Sequence, residues 1–448
     1  MKKPYDLIII SNAFHSYLVA EYAASLGARV GLIKLLPHNK SSFFFDVYDW
    51  LNLTKQNYLS YQNLLQEKQN YFSLQIIPQL SKQGVHLINS HVQFNRGKKL
   101  HLTTTNDVLI APNYLLTGNK DFNISTFNHQ LNFNVMTIAQ LIIEDKWGSL
   151  PDNVGIFGNS ILAIYLAIRL QSSHKNVTLF TENNCLLPHE DEDVSWYLQL
   201  YLEAKGIKIY YHKSFDNYDL FLARDTEYQL IITDAYEQKI NEQLDLARLG
   251  IKSDRHGIKV NSKLQTNHPQ IYACGNILRR YPLDNIAEYE AKIAVQNALF
   301  FPWQKIDYNK IPYCLKTQPA LYRLGYTEKQ ARSSFKDRIK VINLFPRQNN
   351  FLLDNEQNIY YLKIIVDRHN YILGCHCLGL TKEIFTAITI MVKNKQPLPY
   401  LFKFNFVESH SIQLIKELKI KWQKENYKKN DMINNLRETF LIWKNNLV

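Results

Sequence analysis

Residues 6–34 read DLIIISNAFHSYLVAEYAASLGARVGLIK: an apolar strand, a short polar turn, a helix-like stretch and a second apolar strand. This is the outline of a dinucleotide-binding strand-turn-helix-strand unit, whose turn is normally shaped by three glycines. The first permits the tight bend, the second lets backbone approach a pyrophosphate, and the third lets the helix pack on the strand. Here those positions hold Ser11, Ala13 and Ser16, each with a Cβ. The acidic residue that would accept hydrogen bonds from a ribose at the end of the second strand is Lys34. The residues therefore predict the scaffold with altered chemistry at its nucleotide edge.

A second unit of the same outline starts at Val154, where VGIFGNSILAIYLAIRL precedes VTLFTEN. Its turn keeps one glycine, Gly158, with Ser160 at the close-approach position and Ala163 at the third. Beyond its second strand, Thr181-Glu182-Asn183 has no arginine to receive a 2′-phosphate, and Glu182 is placed to bond a free ribose, so NAD is favoured over NADP. Between the two units, helical spacing runs from about Phe43 to Leu80. VHLINSHVQF and KKLHLTTT read as a meander of strands, and Val108 to Leu116 as a buried strand ending at Thr117-Gly118. Strands LIITDA and IYACGNI and a helix from about Asn285 to Leu299 follow, and beyond Pro302 the texture changes to alternating strands and two helices.

At 448 residues the chain is too long for one core. Fifty-two Lys plus Arg against forty Asp plus Glu give a formal charge of +12, which favours acidic partners. The excess is spread along the chain, and the absence of a compact Arg/Gly or Lys/aromatic block argues against nucleic-acid binding. Five unevenly placed cysteines do not make a secreted disulfide framework, and a cytoplasmic setting is expected. Asp6 interrupts the first apolar stretch, which reads as a strand rather than a signal peptide. No apolar run approaches the roughly 18 residues of a transmembrane segment.

The order and spacing of these pieces resemble the pyridine nucleotide-disulfide oxidoreductases of the dihydrolipoamide dehydrogenase, glutathione reductase and mercuric reductase type. Besides the second unit, LARLGIKSDRHGIKVNSKLQTNHPQIYACGNI, NIAEYEAKIAVQNAL, TQPALYRLGYTEKQA and LKIIVDRHNYILGCHCLG carry the likeness, which extends to about residue 418. The resemblance implies an α/β fold: two Rossmann-like dinucleotide-binding domains of the flavoprotein disulfide reductase type plus an α+β C-terminal dimerisation domain. The expected division is 1–147 with 268–307 as the FAD-binding-like domain, 148–267 as the NAD(P)-binding-like domain, 308–418 for dimerisation, and a basic helical extension over 419–448. A homodimer is implied. The resemblance also places Thr117 and Gly118 at the strand end under the flavin, and Gly275-Asn276 where relatives carry an aspartate toward the ribityl chain.

Carried over residue by residue, the family's chemistry mostly fails. The region that should hold its redox-active CxxxxC reads Ser41-Ser42-Phe43-Phe44-Phe45-Asp46-Val47-Tyr48, and the first cysteine is Cys185. The His-Pro-Thr segment with its downstream glutamate corresponds to FVESHSIQLIKEL. One register puts Glu408 and Gln413 on the dyad, and a shift of two puts His410 and Ile415 there. Tyr165 stands where many relatives keep a glutamate, and Asp234-Ala235 replaces Thr-Gly. No catalytic residue is assigned.

Two further features stand outside the family pattern. Strand periodicity in Cys375-His376-Cys377 points both thiols to one face and the imidazole to the other, which suits packing better than a metal site. The tail carries an apolar stripe of Met432, Ile433, Leu436, Phe440, Trp443 and Leu447 after Asp431, suited to docking on the chain's own core rather than on a membrane or an acidic partner protein. The expected protein is a divergent homodimer with FAD weakly held or lost and NAD as the other cofactor: a pseudoenzyme with a binding or scaffold role. The alternative is an active FAD/NAD(H)-dependent oxidoreductase that passes electrons to a small acceptor without a redox disulfide.

Overall fold

The computed structural model describes residues 5–11, 16–35, 66–67, 70–96, 100–104, 107–118, 134–143, 146–213, 228, 230–233, 244–254, 257–278, 281, 283–317, 319–345, 361–379, 382–407, 409–427, 439 and 442–443. The chain divides into two compact units. The first is Met1–Cys185 with Leu202–Asp307, and the second is Leu186–Tyr201 with Tyr308–Val448.

The N-terminal unit holds two parallel sheets of five strands each. The first is made of β1 (Leu7–Ser11), β2 (Val30–Lys34), β3 (Val85–Asn89), β7 (Asn113–Thr117) and β15 (Ile271–Cys274), in the order β15-β7-β1-β2-β3. Leu7, Ile8, Ile9 and Ile10 are all buried, as a continuous apolar strand covered on both faces requires. Each such side chain contributes roughly 1.5–3 kcal/mol through burial. Helix α1 (Ser16–Ser25) follows β1, and the short helix α2 (Ile77–Lys82) leads into β3.

VHLIN is thus the outer strand of this parallel sheet, not the start of a meander. Only β4 (Gln93–Arg96), β5 (Leu100–Thr103) and β6 (Val108–Leu109) form the antiparallel ribbon. The expected strand over 108–116 is two strands, broken at Ala111-Pro112. Tyr114 in β7 is fully buried and donates its hydroxyl to the carbonyl of Leu100 at 2.9 Å, which fixes ribbon to sheet. Of the expected helix over 43–80, residues 43–65 and 68–69 lie outside the described residues, and 66–67 and 70–80 are helical.

The second sheet runs β11-β10-β9-β12-β8, with β8 (Asn134–Thr137), β9 (Asn153–Phe157), β10 (Asn176–Phe180), β11 (Lys208–Tyr210) and β12 (Leu230–Thr233). Helix α3 (Ile138–Ile143) follows β8, helix α4 (Ile161–Ser172) follows β9, and helix α5 (Glu192–Ala204) precedes β11. A two-residue hairpin, β13 (Ser253–Asp254) with β14 (Gly257–Ile258), precedes β15, and helix α6 (Asp284–Leu299) follows it.

The C-terminal unit is built on an antiparallel sheet in the order β16-β17-β20-β19-β18, formed by β16 (Tyr313–Leu315), β17 (Leu321–Gly325), β18 (Ile339–Leu344), β19 (Tyr361–Asp367) and β20 (Ile372–Leu378). Helices α7 (Glu328–Phe335), α8 (Lys382–Lys393) and α9 (Ser409–Tyr427) complete it. One face of the sheet carries Leu324, Leu362, Ile364, Cys375 and Cys377 into a core shared with Ile384, Ile388, Leu414 and Leu418. In the tail, Trp443 is 58% exposed, while the other five members of the expected stripe and Asp431 lie outside the described residues.

Candidate functional site

Along the carboxyl edge of the first sheet, adjacent strands end on Lys34, Ser11, Thr117 and Cys274. Ser11 is opposite Lys34, and Thr117 is opposite Cys274. This edge is where open parallel sheets take ligands. Ser11 and Ser16 are buried, and Ala13 lies outside the described residues. Lys34 is half-buried, with its ammonium 5.9 Å from the centre of the Tyr17 ring. An ammonium only donates hydrogen bonds, so Lys34 cannot do the work of a ribose-accepting carboxylate.

The other side of the same edge is tightly built. Gly275 sits at φ +78°, a conformation that side chains with a Cβ rarely adopt, and its N–H donates to the Glu290 carboxylate of α6 at 2.6 Å. Glu290 is 2% exposed, and this bond pins the start of the turn that carries Asn276, which is half-buried. Thr117 and Gly118 are buried beside it. The Cys274 thiol is pushed well above the usual range, by burial first and then by the Glu290 charge, so it is a quiet packing group and not a nucleophile. Sequence reasoning had not singled out Glu290; an acidic residue on an otherwise apolar helix face, AEYEAKIA, is the signal that carries it.

At the second sheet, Gly158 has φ +155°, a region essentially reserved for glycine, and its N–H donates to the Phe180 carbonyl at 2.9 Å. The Ser160 hydroxyl caps α4 by accepting from the N–H of Ala163 at 3.2 Å. Glu182 is exposed just past the end of β10. A capped helix start beside a strand end, with a free-standing carboxylate at the next strand end, has the donor and acceptor set that a ribose and pyrophosphate need. Tyr165 is buried within α4, and Asp234 and Ala235 lie outside the described residues.

A buried ionic cluster inside the C-terminal unit was not foreseen from the residues alone. Arg323, His376 and Lys363 lie directly opposite one another across β17, β20 and β19, on the face away from the apolar core. Facing them are Glu190, Asp191 and Asp193, with Glu328 from the start of α7. The Lys363 ammonium is 2.7 Å from Asp191, 2.7 Å from Asp193 and 2.8 Å from Glu328, and its side chain is 3% exposed. Arg323 donates to the His189 carbonyl at 2.6 Å and lies 3.6 Å from Glu190, which accepts from the Tyr313 hydroxyl at 2.5 Å. Tyr361 donates to Asp193 at 2.6 Å. Thr327 and Gln330 form a capping box that fixes the first turn of α7, and the Glu328 N–H donates to Asp191 at 3.0 Å.

The electrostatics follow from burial and pairing. Burial works against the Asp191 charge, but the Lys363 ammonium and the Glu328 amide hold its carboxyl below the usual range. Against the cost of its own burial, Lys363 is held above the usual lysine range by its carboxylates. Burial raises Glu190, an effect that Arg323 only partly offsets. His376, 1% exposed and bonded through Nε2 to the Tyr326 carbonyl at 2.7 Å, is pushed down to about 4, chiefly by burial. It is therefore neutral at pH 7. Lone cations inside the apolar strands LYRLG and YLKIIV, together with the acidic run at 190–193, were the available signals.

Cys375 and Cys377 point into the core opposite His376, and all five cysteines are free thiols. Within the FVESHSIQLIKEL stretch, Gln413 is exposed and bonds Glu417 at 3.3 Å, while Ile415 is buried. Glu408 and the His410 side chain lie outside the described residues. Among the described residues, no group of three or more His, Cys, Asp or Glu side chains is arranged to hold a metal.

Residues 5–291 match the model of the family described as pyridine nucleotide-disulphide oxidoreductase, and residues 311–406 match that family's dimerisation domain. A dihydrolipoyl dehydrogenase of Bacillus subtilis is 27% identical over 256 residues, covering 54% of this chain and 55% of that protein, so this match spans about half of the relative's length. A dihydrolipoyl dehydrogenase of Mycoplasma genitalium is 23% identical over 436 residues, covering 87% and 92%. A mercuric reductase of Staphylococcus aureus is 24% identical over 261 residues, covering 54% and 47%. Among solved structures, the Cu(II) complex of the HOCl-induced flavoprotein disulfide reductase RclA from Escherichia coli shares the fold. Its TM-score is 0.71 at 18% identity, over 93% of this chain and 99% of that one. With a family model matching well over half its length and a fold of two nucleotide-type sheets and an antiparallel sheet, the chain belongs to the pyridine nucleotide-disulfide oxidoreductase family.

Proposed function

We propose that this chain is a homodimeric member of the family that does not reduce disulfides and serves as a cytoplasmic binding or scaffold protein. The observation that carries this reading is the distribution of sulfur: no cysteine precedes Cys185, so the usual position of the redox pair holds Ser, Phe, Asp, Val and Tyr. Thiol–disulfide exchange requires a thiolate that attacks and a second sulfur that leaves. Removing both eliminates the covalent route itself rather than slowing it. The altered positions Ser11, Ser16 and Lys34 support weak or absent FAD binding. The dimerisation-domain match and the densely paired C-terminal unit support retention of an assembly role.

A second reading is favoured by one specific observation, the intact Gly275–Glu290 clamp beside Thr117, Gly118 and Asn276. If flavin and NAD(H) were bound, they would supply redox chemistry toward a small acceptor that needs no cysteine. In that case this chain's residues position the ribityl chain through Asn276 and the second dinucleotide through Gly158, Ser160, Ala163 and Glu182. Absorbance of the purified protein near about 450 nm, the flavin's own band, separates the two readings. A colourless protein supports the first, and stoichiometric, tightly held FAD supports the second.

A further inference from the structure

One surface feature is used by neither nucleotide edge nor by the ionic cluster. Immediately after α6, Phe300, Phe301 and Trp303 are 61%, 76% and 71% exposed. Three large apolar side chains within four residues, each mostly in water, form a protruding patch rather than a frayed core edge.

The backbone beneath them is fixed. Asn297, 1% exposed, donates from its amide to the carbonyls of Lys263 at 3.0 Å and Gln304 at 2.9 Å, and accepts from the N–H of Gln304 at 3.1 Å. The Phe300 N–H closes onto the Gln296 carbonyl at 3.0 Å, and the Trp303 N–H onto that of Phe301 at 2.9 Å. The Ile306 N–H donates to the Ser262 carbonyl at 2.8 Å, which ties the exit of the loop to the neighbouring turn. A buried amide thus clamps both feet of a loop that holds its aromatic rings out, and a binding element framed in advance loses little entropy on docking.

Charge selects among occupants. Lys305 is exposed in the same loop, Lys263 is half-buried on the turn bonded to it, and the chain as a whole carries +12. A second copy docked symmetrically on this loop would bring Lys305 and Lys263 against their own counterparts, whereas an anionic surface attracts both. A protein partner would need a pocket for three protruding rings, while a fluid headgroup layer accepts them without one. Tryptophan and other aromatic side chains favour that depth, and nearby lysines add electrostatic attraction to an anionic leaflet.

We propose that the Phe300–Trp303 loop inserts into the headgroup layer of an anionic lipid bilayer and holds this protein at a membrane surface. The test is sedimentation of the full-length protein with vesicles of phosphatidylcholine alone and of phosphatidylcholine containing about one-third phosphatidylglycerol, an anionic lipid. The expected result is co-sedimentation with the anionic vesicles only, weakened by added salt. The double variant Phe301→Ser/Trp303→Ser should bind at least about tenfold less, with an unchanged melting temperature because both side chains are exposed. Lys305→Glu should lose roughly fivefold or more. No binding to anionic vesicles at low salt, or equal binding by the double variant, would overturn the proposal. So would light scattering showing that the double variant dissociates an assembly of wild-type copies, or binding of an acidic protein through these residues without vesicle binding.

Discussion

The carboxyl edge of the first sheet and the ionic face of the C-terminal sheet are built from very different things. At the edge, a buried backbone frame sets Ser11 opposite Lys34 and clamps Gly275 on Glu290, while Ser11 and Ser16 carry a Cβ where a dinucleotide turn has glycines. On the ionic face, Lys363 holds three carboxylates within 2.8 Å; it and Asp191 are buried, while Glu328 and Asp193 reach toward solvent. Half-exposed positions such as Lys34 can change character at little cost to folding. A buried cation cannot lose its partners, or its partners the cation, without a large penalty. The difference locates the physical constraint in the unit that matches the family's dimerisation domain, not at the edge of the first sheet.

The largest effect should come from Lys363→Met. It leaves Asp191 buried and uncompensated, and should cost about 3–5 kcal/mol in denaturant unfolding of the C-terminal unit. The matched change at the other region, Lys34→Met, should stay within about 0.5 kcal/mol. Equal effects at the two positions would break the comparison.

Next is the acid limb of the stability profile. His376 has a folded-state pKa lowered from 6.5 to about 4, so its contribution is complete above pH 6.5 and is lost as pH falls toward 4. For this fully buried group the loss approaches about 3 kcal/mol by pH 4. Asp191, also lowered, adds its own loss only at still lower pH, within and below the ordinary carboxylate range. Thermal melts across pH 7 to 4 should show the decline in the wild-type protein and a flatter profile in His376→Asn. Parallel profiles would contradict the assignment.

A smaller, opposite change is expected at the nucleotide edge. Restoring Gly at positions 11, 13 and 16 and Glu at position 34 should raise flavin affinity by about tenfold or more, read as bound flavin after gel filtration. No gain would place the loss elsewhere in the site. The smallest effect should follow removal of residues 424–448: Leu414, Ile415 and Leu418 already fill the core of α9, and Trp443 is exposed. Light scattering should then report the same number of copies per particle as the full-length protein, and aggregation would show that the tail covers apolar surface.

Much of the framework was legible because its signals are local. The apolar runs of β1 and β9 and the glycines at 158 and 275 announce parallel strands and forced turns without reference to the rest of the chain. The β3 segment misled because VHLIN alternates; an outer strand of a parallel sheet has one partly exposed face, and its pattern matches that of a hairpin strand. The ionic cluster was illegible for another reason. Its members are distant in sequence, and a buried Lys363 or Arg323 is only meaningful once β17, β19 and β20 place them in one row against residues 189–193. Lys34, Ser11 and Ser16 could be read as departures because the glycine turn and its acidic partner have a fixed spacing along the chain.

The central claim is that this member of the family has no disulfide chemistry. The most direct test is NAD(P)H oxidation by the full-length protein, supplied with excess FAD, with lipoamide, glutathione disulfide and Hg(II) as acceptors. The account predicts no acceptor-dependent rate above that of free flavin for any of the three. Sustained turnover with one of them would contradict it.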